Sequence, residues 1–228
     1  LTQDREYILD LLKAITPLKK KWVTQASVEI ADDTELLEHM KQSGCVGVFI
    51  GLESFSESAL CSQNKKIKSP QFYKDAIARI HQYGLIVEAG LIFGFDTDDR
   101  TVFETTFNIL QEIGIDVIQV SILTPLPGTK LFEEMRERIV DFNWEHYDYK
   151  YAVFEPANMT RRELKAGMEW LYRKFYSPWN ILKRLPRWLV QPKGLQNFYF
   201  PLFVNFAYWG RQYHFNIRGY NPAAKHTI

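Results

Sequence analysis

The sequence predicts an α/β fold organised on a parallel sheet. The first observation is a unit that occurs three times, in which a helix-like stretch ends in glycine and a strand-like run follows at once. The junctions are Ser43-Gly44 before Cys45 to Gly51, Tyr83-Gly84 before Leu85 to Gly94, and Ile113-Gly114 before Ile115 to Leu123. Glycine just past a helix takes the left-handed conformation that ends it. The second observation is the alternation itself, because strands separated by helices of this length pair in parallel. The third is composition: 228 residues, 46% of them hydrophobic, suit one α/β domain plus an appendage.

The elements follow in order. Asp4 to Ile15 reads as an amphipathic helix with Tyr7, Ile8, Leu11, Leu12 and Ile15 on one face, stopped by Pro17. Trp22 to Ile30 alternates as a strand, and Asp33 or Thr34 caps a helix from Glu35 to Ser43. A polar loop from Ser56 to Ser69 leads to a helix from about Pro70 to Tyr83, with proline in its first turn. Asp96-Thr97-Asp98-Asp99 supplies turn and capping chemistry for a helix from Arg100 to Ile113, and Pro127-Gly128-Thr129 turns into a helix from Lys130 to Arg138. Four strands cannot close a barrel, so the sheet is either small and open or part of a barrel whose first strands lie outside this sequence.

Past Ile139 the pattern changes. The aromatic stretch Phe142 to Tyr151 has no clean period, and Thr160 with Glu163 forms a capping box for a helix to about Tyr176. Beyond it Pro186, Pro192, Pro201 and Pro222 are expected to break the chain into short pieces. The expected units are residues 1–140, a C-terminal extension over 141–178 whose helix covers 160–176, and a tail over 179–228.

In parallel α/β sheets, ligands sit at the carboxyl ends of the strands. Here those ends carry Glu53-Ser54, Gly94-Phe95-Asp96 and Thr124-Pro125. Glu53 and Ser54 suit a ribose, an amine or another polar group; capping and pairing with a lysine are the alternatives. Gly90 and Gly94 weaken a strand unless something must approach it, so they suggest either a flat ligand resting on the backbone or a tightly packed helix. The rigid Thr124 to Thr129 segment presents carbonyls and amides that could read an adenine edge, or it is simply a firm turn. No phosphate loop is present. The acidic clusters Glu29, Asp32, Asp33 and Asp96, Asp98, Asp99 read first as solvated helix starts. No histidine pair has zinc spacing, and His146 alone is kept as a site candidate.

The two cysteines, Cys45 and Cys61, have no metal spacing and are too few for a disulfide scaffold, so reduced thiols and a cytoplasmic location are expected. No apolar run of about 18 residues exists for a membrane span. Charge is unevenly placed. Nine of the 28 basic residues and none of the 27 acidic ones lie from Trp170 onward, leaving an acidic body and a basic, aromatic tail. Three readings of the tail stay open: aromatics wrapped onto the barrel, contact with an anionic membrane surface, and, least favoured, base stacking on a nucleic acid.

Three segments in this order and spacing, Ser43 to Ser54, Gly90 to Asp98 and Ile122 to Thr129, resemble the radical S-adenosylmethionine enzymes, specifically the cobalamin-binding subgroup. The likeness runs from about residue 4 to about 185, with Trp144, Tyr147-Asp148 and Phe154-Glu155-Pro156 similar to that group's C-terminal extension. The resemblance implies a partial (β/α)6 TIM-like barrel lacking its first strands, followed by a mainly helical or irregular extension. It implies S-adenosylmethionine and a 4Fe-4S cluster that cleaves it reductively to a 5′-deoxyadenosyl radical, with cobalamin on a domain outside this chain.

The resemblance further assigns Glu53 and Ser54 to the ribose and Gly90, Gly94 and Asp96 to the strand beneath the adenine and methionine. Ser121, Thr124 and Pro125 fall on the strand that touches adenine, and Gln25 and Ser27 on a cavity-facing strand. Thr97 stands where the motif often has Glu. The family's C-x3-C-x2-C cluster motif is absent, so the cluster ligands are expected outside this chain and no catalytic or metal residue is assigned within it. The expected partners are a small-molecule or lipid-like substrate and an electron donor such as flavodoxin or ferredoxin. The expected location is the cytoplasm, with peripheral contact at the inner membrane surface. The rival reading is a binding or scaffold module without a cluster.

Overall fold

A computed structural model describes residues 4–55, 68–190 and 195–217, the side chains of 195–197 and 212–217 excepted. Most of the expected polar loop, with Cys61, Pro192 and Pro222, lies outside the described residues.

The helices start where the capping residues put them. In α1 (Arg5–Ile15) the Asp4 carboxylate accepts the Tyr7 N–H, and in α2 (Thr34–Gln42) Asp33 accepts the Leu36 N–H. Ser69 caps α3 (Pro70–Gln82), followed directly by proline. Next come α4 (Val102–Ile113) and the short α5 (Lys130–Met135), the latter capped by Thr129. Both halves of the Thr160/Glu163 capping box are formed at the start of α6 (Arg161–Phe175). The repeated glycines Gly44, Gly84 and Gly114 all have positive φ, as a helix end in the left-handed region requires.

Four strands, β1 (Trp22–Ala26), β2 (Cys45–Glu53), β3 (Ile86–Phe93) and β4 (Val117–Ile122), form one parallel sheet in sequential order. The first strand is shorter than its alternation predicts. Val28–Asp32 turns into a 3-10 helix whose Val28, Ile30 and Ala31 are buried, so residues that look alternating are packed on a tight helix instead.

One face of the sheet is the core. Ile50, Val87, Ala89, Leu91, Ile118 and Ile122 are buried beneath the helices. At Gly167 of α6 a β-carbon would lie 2.0 Å from the Phe103 ring, so glycine is what lets α6 close on α4.

Two prolines behave differently from expectation. Pro186 lies inside α7 (Pro178–Val190) and Pro201 inside α8 (Leu195–Ile217), and neither breaks its helix. Tertiary bonds hold these helices. Asp116, fully buried just before β4, accepts hydrogen bonds from Arg187 Nη2 at 2.9 Å and Trp188 Nε1 at 2.7 Å. Its other oxygen accepts the Val87 N–H and shares a hydrogen bond with His81, both at 2.8 Å. Its backbone carbonyl accepts from Asn205 on α8. Burial would raise the Asp116 carboxyl, but His81 and Arg187 outweigh it and hold it well below the usual carboxylate range.

The outer edge of β4 is closed by side chains. The Tyr176 hydroxyl accepts the Ile118 N–H at 2.9 Å and donates to the Ile118 carbonyl at 2.8 Å. One turn earlier, the Tyr172 hydroxyl does the same for Val120, at 2.8 and 3.4 Å. The Ile122 N–H goes to the Tyr149 carbonyl at 2.7 Å. Burial pushes the Tyr176 phenol well up, which keeps the donating proton in place.

Candidate functional site

The face of the sheet away from the helices is half-open. Strand register places its side chains in rungs: Val23, Gly47 and Ile86; then Gln25, Phe49, Glu88 and Val117; then Gly51, Gly90 and Gln119; then Ile92 and Ser121. Gln25 and Gln119 are exposed and Phe49, Glu88 and Ser121 half-buried, whereas the alternate residues are core. This face forms a trough whose three glycines are each overlaid by a side chain, Gly47 by Ile86, Gly51 by Glu53 and Gly90 by Phe49, with the amides of Gln25 and Gln119 exposed alongside.

At the end of β2 a bulge re-aims the chain, and Glu53 takes φ 62°, a left-handed conformation costly for a residue with a side chain. A β-carbon at Gly51 would lie 2.6 Å from Glu53 Oε1, so glycine there lets the carboxylate fold back toward the trough. Backbone strain of this kind clusters at ligand clamps and switch regions. Ser54 beside it is buried, its N–H bonded to the Leu52 carbonyl.

At the end of β3 the chain turns sharply at Gly94, φ 107°. Asp98 Oδ2 accepts the Gly94 N–H at 2.8 Å and the Phe95 N–H at 3.1 Å. Asp98 is buried, which raises its carboxyl to about 6 despite those two hydrogen bonds. It therefore holds the β3 loop. Asp96 is exposed and paired with Arg138 Nη1 at 2.6 Å, and its carbonyl accepts from Asn158, so it ties the loop to the extension. Thr124 and Pro125 are buried at the end of β4, with Thr124 Oγ1 donating to the Ile122 carbonyl at 2.9 Å.

Gly90 and Gly94 do not share one open surface, contrary to expectation. A β-carbon at Gly90 would lie 2.4 Å from Phe49 Cζ, because that ring covers the trough floor. At Gly94 it would meet Leu164 and Phe154 of the extension at 3.1 and 3.2 Å. The positive φ turns Gly94 away from the face its spacing suggests. The trough thus gathers Gln25, Gly90 and Ser121, with Glu53 folding toward it. Ser27 is exposed just past β1, Gly94 packs against the extension, Asp96 faces Arg138, and Thr124 and Pro125 are buried. Phe49, Glu88 and Gln119 were missed. Their only sequence signal is their register opposite Gln25 and Gly90, which a single strand does not reveal.

Other candidates are engaged locally. His146 shares a 2.7 Å hydrogen bond with Asp141 and stacks on Tyr151. Asp32 and Asp33 pair with Arg79 and Arg5, and Glu29 with Lys68. Among the described residues no group of three His, Cys, Asp or Glu could hold a metal ion. Cys45 is buried at the foot of β2, its thiol against the Gly47 carbonyl.

No protein-family model matches the chain. Its sequence is 32% identical over 180 residues to bacteriochlorophyllide d C-12(1)-methyltransferase of Chlorobaculum tepidum, covering 79% of this chain and 40% of that protein. It is 28% identical over 172 residues to the anaerobic magnesium-protoporphyrin IX monomethyl ester cyclase of Cereibacter sphaeroides, covering 75% of this chain and 28% of that one. The fold superposes on coproporphyrinogen III oxidase (HemN) of Escherichia coli, a radical S-adenosylmethionine enzyme, with a TM-score of 0.53 at 14% identity, covering 76% of this chain and 37% of that one. The architecture is thus that of a radical S-adenosylmethionine barrel, present in part. The homologues are radical S-adenosylmethionine methyltransferases and cyclases, and the chain is similar to that family. It spans two-fifths or less of the length of the relatives it matches here.

Proposed function

We propose that the chain is the nucleoside-holding part of a radical S-adenosylmethionine enzyme that performs methyl transfer or related radical chemistry. The observation that carries this reading is the half-open trough, where Gln25, Gly90 and Ser121 lie beside the strained Glu53. Glu53 accepts from ribose hydroxyls, Ser121 and the neighbouring backbone carry adenine, and the Phe49 ring moves off Gly90 or stacks on the bound molecule. Ser27, Ser54, Gly94, Asp96, Thr124 and Pro125 shape the rim. The polar walls suit a nucleoside sulfonium once the Phe49 ring leaves Gly90. The described residues do not fit an iron–sulfur cluster, so its ligands, and a cobalamin-binding domain, belong to protein outside this chain. When bound, the cluster supplies the electron for reductive cleavage of S-adenosylmethionine.

This chain alone is accordingly inactive. Its partners are a small or lipid-like substrate and a flavodoxin- or ferredoxin-like electron donor, in the cytoplasm at the inner membrane surface. The test is calorimetric titration of S-adenosylmethionine into the protein extended to its relatives' length and reconstituted anaerobically with iron and sulfide. Uptake is expected, weakened tenfold or more in Glu53→Ala and Gly90→Val. No uptake by the reconstituted protein ends this reading and favours a scaffold module.

A further inference from the structure

Helices α7 and α8 carry large apolar side chains on both faces. Inward, α7 buries Ile181 and Trp188 together with the polar Asn180 and Arg184, and α8 buries Asn205, with Arg184 Nη2 donating to Asn205 Oδ1 at 2.6 Å and to the Phe175 carbonyl at 3.0 Å. Their outward faces are apolar. On α7, Trp179, Leu182 and Leu189 recur at helical spacing and are 67%, 51% and 61% exposed; on α8, Tyr199, Phe203 and Phe206 are 59%, 73% and 40% exposed. A helix of a soluble protein ordinarily turns a polar face to water, and an exposed apolar surface of this extent marks an interaction site.

The charge on this surface selects its partner. Lys183 and Arg211 are exposed beside these stripes, and no Asp or Glu occurs from Trp170 to Ile228. Aromatic and aliphatic side chains with basic residues and no acid complement a bilayer carrying anionic headgroups. Among the described residues no helix is long and apolar enough to cross a membrane, so a helix pair of this kind lies along the surface.

We propose that α7 and α8 seat the protein on an anionic lipid surface, with Trp179, Leu182, Leu189, Phe203 and Phe206 entering the headgroup–acyl boundary and Lys183 and Arg211 facing phosphates. The inference gives the membrane contact proposed above its surface, and it stands on these two helices whether or not the trough binds a nucleoside. The Asp116 anchor explains how the pair stays on the body while its apolar stripes point away.

Co-sedimentation of the whole chain with two kinds of vesicle tests it. Phosphatidylcholine alone is expected to leave the protein in solution, and an equal mixture with phosphatidylglycerol to pellet it in a salt-sensitive way. Lys183→Glu changes the surface charge by two and is expected to lower the partition coefficient about tenfold or more. The pair Leu189→Ser and Phe203→Ser, both at exposed positions, is expected to lower it by a similar factor while the urea midpoint stays unchanged. If the serine pair fails to fold, Lys183→Glu carries the comparison alone. Absence from both pellets, or variants that pellet like the parent, overturns the proposal. So does a dimer in analytical ultracentrifugation that the serine pair dissolves without vesicle binding, because the stripes would then belong to a second copy of the chain.

Discussion

The two edges of the sheet are finished differently. Along β4 the outward amides and carbonyls of Ile118 and Val120 are taken by tyrosine hydroxyls and the Ile122 amide by a backbone carbonyl. Along β1 the sheet pairs only inward, with β2, among the described residues. An unfinished edge is a template for another strand. The difference shows that this sheet can grow in one direction only, on the β1 side, which is where the sequence expects the missing strands. The extension that follows the sheet is therefore part of its construction, because α6 supplies the seal and α7 and α8 fasten it.

Changes at four places break or sharpen this contrast. The largest effect belongs to Asp116, which fastens the foot of the sealed edge. Replacing it with alanine leaves the buried His81 and the half-buried Arg187 without their partner, and urea unfolding is expected to show a loss of about 3–5 kcal/mol. A smaller change lies between the edges, at Asp98. Its folded carboxyl is raised to about 6 from an ordinary value of 3.8, so the folded state binds the extra proton between those values. The stabilisation is full below the unfolded value and is lost as pH rises through the folded one. The stability of the parent relative to Asp98→Asn should therefore fall by about 2–3 kcal/mol between pH 3 and pH 7, measured by denaturation at each pH. An unchanged difference would remove the assignment of that proton.

Next comes the seal itself. Tyr176→Phe strands the Ile118 amide and carbonyl at a buried position and should cost about 1–3 kcal/mol. Tyr172→Phe, half-buried, should cost less, and the double variant should associate edge to edge in sedimentation velocity. The smallest effect is expected on the open side: Gln25→Ala, exposed on β1, should stay within about 0.5 kcal/mol of the parent in this chain.

The alternation of elements was legible because glycine C-caps, side-chain N-caps and apolar runs are local signals, and Gly44, Gly84, Gly114, Asp33, Ser69 and Thr160 all behave as such signals require. The tail helices were not, because Pro186 and Pro201 read as breaks, although each lies inside a continuous helix. On the half-open face, the place of Glu53 was readable from its strand end and that of Ser121 from the resemblance. Glu88, Gln119 and Phe49 were not, because one strand shows only its own alternation and the trough exists only once four strands are in register. Gly94 misled for a related reason: its spacing from Gly90 predicts a shared face only while the strand stays regular.

The tyrosine pair also sets a ruler against the sheet. Four residues of helix advance about 6.0 Å, while two residues of strand advance about 6.6 Å. Tyr172 and Tyr176, with ring centroids 6.1 Å apart, can span that small disagreement once. A third rung would accumulate a misfit of about 1.2 Å, more than a hydrogen bond tolerates. The residue a further turn back is Met168, and the Ile122 amide is served from outside the helix by Tyr149. A straight helix laid along a strand can therefore close two rungs and no more, and the length of β4 beyond Val120 must borrow its last partner from a loop.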